Sequence, residues 1–255
     1  MEQATNIQLM KKIFITGKIQ LLTGLRIGGS SSSMSIGGLD NIIIRNPINN
    51  KPYIPGSSLK GKMRSLIELR DGTIGHKNMG AVEHGPSDAT DSLSCRLFGN
   101  SAGNNQQQPS RIIVRDCELL TPEEKFSNTD LPYAEIKTEV VIDRITSAAG
   151  PRIMERVPAG AEFSLNLVIN IFHTTAAGAS LTDPEKEFVQ ATFDALTLLQ
   201  DDYLGGSGSR GYGQVKFNIE SITQRSRDYY IGKTADEPYT LIPVPDHLRA
   251  VEQKK

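Results

Sequence analysis

The residues best suited to chemistry lie in one short stretch, Leu204 to Gly213, which reads Leu-Gly-Gly-Ser-Gly-Ser-Arg-Gly-Tyr-Gly. Its glycines permit positive φ and let backbone N–H groups converge on an anion. Arg210 can grip a phosphate there, and Tyr212 can stack on a base. Gly206 to Gly211 formally satisfies G-x-G-x-x-G, but a dinucleotide site needs a strand before the glycines and a helix after them. Here a helical pattern precedes and an alternating strand follows, which excludes that site and leaves a nucleic-acid cradle or a plain helix-to-strand linker. A second cationic point is Tyr53 to Arg70. Ser57 or Ser58 is placed to cap a helix whose Leu59, Met63, Leu66 and Ile67 recur at helical spacing. Lys60 and Arg64, four apart, project from one face beside the positive end of the dipole, where phosphate binds readily. Gly61 inside that helix suggests a close approach. Gly56-x4-Gly61-Lys62 nearly spells a P-loop, yet Met63 stands where the Mg²⁺-binding hydroxyl belongs, and a helix with solvated lysines is the plainer alternative. His76, His84 and Cys95 offer three corners of a zinc site, without an evident fourth ligand and without C-x-x-C.

These groups need elements to position them. Lys12 to Thr23 alternates as a strand, with Ile13, Ile15, Ile19 and Leu21 on one face. Arg111 to Leu120 is strand-like, and residues 161–172 form the cleanest strand, with Phe163, Leu165, Leu167, Ile169 and Ile171 inward. Thr182-x-x-Glu185 with Pro184 opens a helix to about residue 200, carrying Phe188, Val189, Phe193, Leu196 and Leu199 on its buried stripe. A last strand, 214–223, turns Val215, Phe217 and Ile219 inward. The order β, α, β, β, α, β is that of an α+β, ferredoxin-like, RNA-recognition-like core. It predicts a single domain over 1–255 with insertions at 24–56, 71–110 and 121–160 and a polar surface tail from 225. Within 121–160, Arg144, Arg152 and Arg156 surround Ala148-Ala149-Gly150-Pro151, the expected turn at the tip of a projecting arm.

The chain has 255 residues, 38% hydrophobic, enough for a real core. No apolar run has membrane-spanning length, and Met1-Glu-Gln-Ala-Thr lacks the form of a signal peptide, so a cytoplasmic protein with no membrane partner is expected. Cys95 and Cys117 are too few for a disulfide framework. The net charge of −1 argues at first against nucleic acid, but charge is segregated. Residues 51–70 hold five cations against Glu68, a local +4, whereas 116–139 hold seven acids against Lys125 and Lys137, a local −5. Such a chain could meet RNA on one face and basic copies of itself on another.

Taken together, Gly24-Leu25-Arg26-Ile27-Gly28-Gly29, Ile36-Gly37-Gly38-Leu39-Asp40, Ile54 to Arg64, Arg96-Leu97-Phe98-Gly99-Asn100, Ile142-Asp143-Arg144-Ile145-Thr146, Pro151-Arg152-x-x-Glu155-Arg156 and the glycine loop resemble the backbone subunits of type III-A CRISPR (Csm) effector complexes, of the RAMP superfamily. The likeness runs from about Lys12 to Thr223. It implies a filament of copies along a CRISPR guide RNA, beside other subunits of the complex, and divalent-metal-dependent cleavage of paired target RNA. The family's catalytic aspartate matches Asp40, which would also hold Mg²⁺ or another divalent cation. Its RNA contacts match Arg26, Gly28, Gly29, the helix start with Ser57, Ser58, Lys60, Lys62 and Arg64, and the loop with Ser207, Ser209, Arg210 and Tyr212. The arm with Arg144, Arg152 and Arg156 corresponds to its thumb, which displaces bases of the guide–target duplex. A guide-processing nuclease would use histidine as base, but His76, His84, His173 and His247 all lie outside the Gly-rich stretches. A pure guide-binding scaffold is the non-catalytic alternative.

Overall fold

The computed structural model describes residues 6–29, 42–79, 82–100, 108–176 and 179–250. In chain order the strands and helices are β1 (Asn6–Leu21), β2 (Tyr53–Ile54), α1 (Gly56–Asp71), β3 (Gly75–Met79), β4 (Val82–Gly85), α2 (Leu93–Phe98), β5 (Ile112–Val114), β6 (Cys117–Glu118), β7 (Glu135–Ile142), β8 (Ala149–Arg156), β9 (Glu162–Ala176), β10 (Ala179–Thr182), α3 (Glu185–Asp201), β11 (Val215–Ser226), α4 (Arg227–Tyr230) and β12 (Glu237–Pro238). The main sheet runs β11, β1, β9, β5, with every pairing antiparallel, β12 on the edge of β11 and β10 on β9. Each long helix joins two strands that have a third between them, the split arrangement of the ferredoxin-like fold.

The alternation seen in the sequence decides which face carries the helices. Ile13, Ile15, Ile19 and Leu21 of β1, Phe163 to Ile171 of β9 and Val215, Phe217 and Ile219 of β11 are buried against Leu59, Met63, Leu66 and Ile67 of α1 and Phe188, Val189, Phe193, Leu196 and Leu199 of α3. The β1–β11 register shifts between Thr16 and Gly17, and a Cβ on Gly17 would stand 2.1 Å from the Asn218 carbonyl oxygen, so only glycine fits this bulge.

Several boundaries and surfaces depart from expectation. Strand β1 begins at Asn6 rather than Lys12, because β9 continues to Ala176 and offers it a partner out to Thr175. The expected strand 111–120 is broken at Arg115 and Asp116: β5 pairs with β9, β6 with β2. The break frees Asp116, whose Oδ1 accepts from the Gly56 N–H at 2.7 Å. Helix α1 therefore starts at Gly56 after Pro55, with neither Ser57 nor Ser58 capping it by a side chain. The arm is a β7–β8 hairpin whose tip is residues 143–148, earlier than the Ala148–Pro151 turn expected, because Asp143 Oδ1 accepts from the N–H of Ile145 and Thr146 and the Thr146 hydroxyl. The tail is not confined to the surface: Tyr239 and Leu248 are buried, and the Ala250 N–H bonds to the Ile219 carbonyl. Among the described residues no helix is long and apolar enough to cross a membrane.

Candidate nucleic-acid interface

The end of the sheet where β1 finishes gathers most of the site residues expected from the sequence. The glycine loop leaves α3 and is sewn to the segment after β1: Gly206 N–H bonds to the Arg26 carbonyl (2.9 Å), Gly213 N–H to that of Gly24 (3.0 Å), and Leu204 N–H to that of Gly213 (2.9 Å). Gly205, Ser207, Gly211 and Gly213 take positive φ. A Cβ on Gly213 would lie 2.0 Å from the Leu204 carbonyl oxygen, and one on Gly205 2.3 Å from that of Arg26, so this seam admits glycine alone. Ser209 and Arg210 are exposed at the loop's outer turn.

Helix α1 enters the same end. Lys62 Nζ pairs with Asp202 Oδ2 at 2.8 Å and sits 4.0 Å over the Tyr203 ring, tying the helix to the root of the glycine loop. Lys60 is half-buried in a groove of about 700 Å³ lined with Ser57, Gly61, Asn100 and Ser110, and its Nζ donates to Ser110 Oγ at 2.6 Å. Burial and, less strongly, the charge of Arg64 lower its pKa, so Lys60 gains from an anion that enters the groove. Gly61 has open space beside it, which keeps the groove wall low. Arg64 is corrected in role. It lines the same groove, but its guanidinium is engaged, donating to Glu68 Oε1 (2.7 Å), the Gly99 carbonyl (2.8 Å) and the Ser87 carbonyl (2.9 Å), and so joins α1 to the 71–110 insertion.

Tyr212 is a second correction. Only 1% exposed, it cannot stack on a base; Lys137 Nζ lies 4.4 Å and Arg156 Cζ 4.9 Å from its ring centre, fastening the thumb to the loop. Burial and the neighbouring Glu139 push its hydroxyl up to about 12. The Tyr212 hydroxyl and then Arg210 hold the Glu139 carboxyl below its ordinary range, and Arg210 Nη1 pairs with Glu139 Oε2 at 3.0 Å. Arg156 is likewise engaged, with Glu135 at 2.7 Å, whereas Arg144 and Arg152 are exposed on the hairpin.

Asp40 lies outside the described residues, but the stem of its loop is defined. Gly29 N–H bonds to the Ile42 carbonyl, Ile44 N–H to that of Ile27, and Gly28 bridges Ile43. A Cβ on Gly29 would stand 3.1 Å from the Ile43 carbonyl oxygen, so Gly29 serves the stem, while Gly28 has open space beside it. Buried Glu155 of β8 braces that stem, accepting from Ile43 N–H at 2.8 Å and pairing with Arg45 at 2.6 Å. Glu155 appears in the sequence only as part of the Pro151-Arg152-x-x-Glu155-Arg156 motif, with no role given to it, and Asp116, Glu139 and Asp202 were not singled out. For Asp116 and Glu139 the available signal was the acidic segment 116–139, from which Glu135 and Glu139 answer Arg156 and Arg210 and Asp116 answers a backbone N–H.

The expected zinc set is not assembled. His76 and His84 stack across the exposed β3–β4 hairpin with ring centroids 5.2 Å apart, whereas Cys95 is fully buried and its Sγ–H donates to the Ser87 carbonyl. Among the described residues, no three His, Cys, Asp or Glu side chains are grouped to hold a metal ion.

Residues 18–216 match the RAMP superfamily. The chain is 40% identical over 251 residues to the CRISPR system Cms endoribonuclease Csm3 of Methanocaldococcus jannaschii, covering 95% of each chain, and 41% identical over 234 residues to that of Streptococcus thermophilus, covering 90% of this chain and 97% of the other. Among solved structures it resembles a chain of the Csm3-Csm4 subcomplex in the type III-A CRISPR-Cas interference complex, with TM-score 0.56, 30% identity and 91% of each chain covered. It also resembles Methanopyrus kandleri Csm3, with TM-score 0.55 and 25% identity over 88% of this chain and 80% of that one. The type III-B Cmr-beta complex bound to cognate target RNA, at TM-score 0.54 and 16% identity over 85% of this chain and 61% of that one, shares the fold. The chain belongs to the RAMP superfamily and, within it, to the Csm3 endoribonucleases of CRISPR systems.

Proposed function

We propose that this protein is a filament-forming subunit of a cytoplasmic type III-A interference complex, holding CRISPR guide RNA on the loop-bearing end of its sheet and cleaving paired target RNA at regular intervals. The observation that carries this reading is the glycine seam, sewn to the Gly24 and Arg26 carbonyls beside the stem of the Asp40 loop, with Lys62 of α1 paired to Asp202 at its root. A ribose-phosphate strand laid along the seam would meet the exposed turn that carries Arg210. The β7–β8 hairpin projects from the same end with Ile145, 94% exposed, at its tip, a shape suited to prising a base from a duplex.

Cleavage is in-line attack of a ribose 2′-OH on the adjacent phosphate, helped where a displaced base frees the sugar to align. Asp40 would accept or orient the hydroxyl proton, while the cations hold RNA and the Glu155 brace fixes one side of the catalytic loop. A divalent cation, for which Asp40 would be the protein ligand, would supply neutralisation of the charge that develops during phosphoryl transfer. The test is to purify the protein with its complex, identify the small RNA that accompanies it, and offer paired and unpaired targets with and without EDTA. Evenly spaced cuts in the paired target alone, lost with EDTA, are expected; intact target under every condition would leave a guide-binding scaffold.

Binding gives a separate expectation. Lys60→Ala with Arg210→Ala should weaken guide binding and flatten its salt dependence by about 1.4 in the slope of log K against log salt, two single-strand phosphate contacts at roughly 0.7 each. An unchanged slope, measured by filter binding from low to moderate salt, would place the phosphates elsewhere.

A further inference from the structure

Ion pairs knit the loop-bearing end together, and one of them is unlike its neighbours. Lys62 with Asp202 and Arg156 with Glu135 bond at 2.8 and 2.7 Å, and both cations are mostly covered, 22% and 20% exposed. Arg210 with Glu139 is longer, at 3.0 Å, and its covered member is the acid: the Glu139 side chain is 15% exposed and that of Arg210 56%. The contact is a single bond from Nη1 to Oε2, rather than the two-pronged pairing that arginine makes with a carboxylate in a tight bridge. The other carboxylate oxygen, Oε1, lies 3.9 Å from Lys137 Nζ, beyond hydrogen-bond length. Lys137 and Glu139 are two apart on β7, so they leave the same face of the hairpin. That face meets the glycine loop, Lys137 at the Tyr212 ring and Glu139 at Arg210.

One carboxylate thus spans two cations from different segments, with one oxygen toward each. A phosphodiester has the same charge and two non-bridging oxygens to offer, and arginine and lysine are its usual partners. As a brace the arrangement is weak, because an ion pair with so exposed a cation contributes little to stability. The hairpin has other ties to the loop: Lys137 and Arg156 both pack on the Tyr212 ring.

We propose, resting on the placement of guide RNA at the glycine loop, that Glu139 occupies the position of one guide phosphate between Arg210 and Lys137 and must be displaced by it, which makes Lys137 a further RNA-binding residue. The consequence is selectivity. A lone phosphodiester gains little by replacing a tethered carboxylate of equal charge. A strand whose neighbouring nucleotides are already held along the seam brings its next phosphate there at high effective concentration and wins the exchange. Glu139 therefore turns away single anions and short fragments and yields to a long RNA.

The experiment uses the full chain freed of nucleic acid and titrates a labelled oligouridylate of about 12 nucleotides. Glu139→Gln keeps the size and removes the charge, and Glu139→Thr removes the carboxylate with a residue suited to a strand. Both variants should bind about two- to fivefold more tightly than the wild type, since an exposed ion pair no longer has to be broken. Their slope of log K against log salt should change by less than the ~0.7 of one phosphate contact, whereas Lys137→Gln should bind more weakly and lower the slope by about 0.7. In an Arg210→Ala background the gain from Glu139→Gln should disappear, the coupling expected of two groups that contact each other. Unchanged or weaker binding by both Glu139 variants, where Arg210→Ala does weaken binding, would overturn the displacement and leave the loop as the guide site. A gain that persists in the Arg210→Ala background would also overturn it, since loss of any negative charge would then do the same. Affinity and slope unaltered by Arg210→Ala alone would take the guide off this loop, and both readings would fall.

Discussion

Protein carrying Asp40→Ala is expected to cut paired target RNA about 10²–10⁴-fold more slowly, the contribution of a positioned acid–base group, while guide binding and assembly stay at wild-type levels. The separation follows from where the charges are. The groups proposed to hold phosphate, Lys60 in its groove and Arg210 on the outer turn, stand on α1 and the glycine loop and are bonded to Ser110 and Glu139. That loop is closed by its own stem, Gly29 to Ile42 and Ile27 to Ile44, with Glu155 bracing Ile43. Removing the carboxylate proposed as proton acceptor, beyond the stem, should leave the cradle standing. Asp40→Asn, which keeps the size and loses the charge, should fall nearly as far. Denaturing gels of target fragments over time give the rate, and size-exclusion profiles with bound guide give assembly. Wild-type rates with Asp40→Ala would remove Asp40 from the chemistry, and loss of guide together with cleavage would make it a binding residue.

What the sequence made legible was whatever a short window encodes. Alternation in β1, β9 and β11 and the helical spacing of Leu59 to Ile67 and Phe188 to Leu199 give the buried faces correctly, since a residue's face depends only on its neighbours in the chain. The same holds for Gly205 and Gly213, whose positive φ follows from the density of glycine around them. What the window does not contain is the partner of a charge. Arg64 is four residues from Glu68, but the carbonyls of Ser87 and Gly99 that complete its bonding belong to an insertion whose path only the fold determines. Tyr212, placed between Gly211 and Gly213, looks like a stacking platform until Lys137 and Arg156, distant in sequence, pack on its ring. Asp116 sits in what looks like one continuous strand, and only the arrival of the Gly56 N–H shows why that strand must break. Cations were thus easy to find, and which of them are free for RNA was not.

That distinction gives the second large effect. Arg64→Ala is expected to destabilise the protein by about 3–5 kcal/mol, because it strips the partner from a carboxylate that is only 4% exposed. Glu68 Oε1 also accepts from the Ser87 N–H at 3.0 Å, so part of its bonding survives, but the Gly99 and Ser87 carbonyls lose their guanidinium donor. At roughly 2–4 °C per kcal/mol for a chain of this size, the melting temperature should fall by about 6–20 °C. Arg64→Lys restores a charge but cannot reach three acceptors in a fork, so it should recover only part of the loss. Removing both charges with Arg64→Met and Glu68→Leu should cost less than Arg64→Ala alone, since no buried carboxylate is then stranded. Below the transition, the folded Arg64→Lys protein should bind guide RNA with the wild-type salt slope. Thermal melts and salt-dependent binding on the same four proteins decide between the roles. A stable Arg64→Ala protein with a reduced slope would return Arg64 to the RNA surface, and an unstable one whose lysine variant keeps the slope assigns it to the joint between α1 and the insertion.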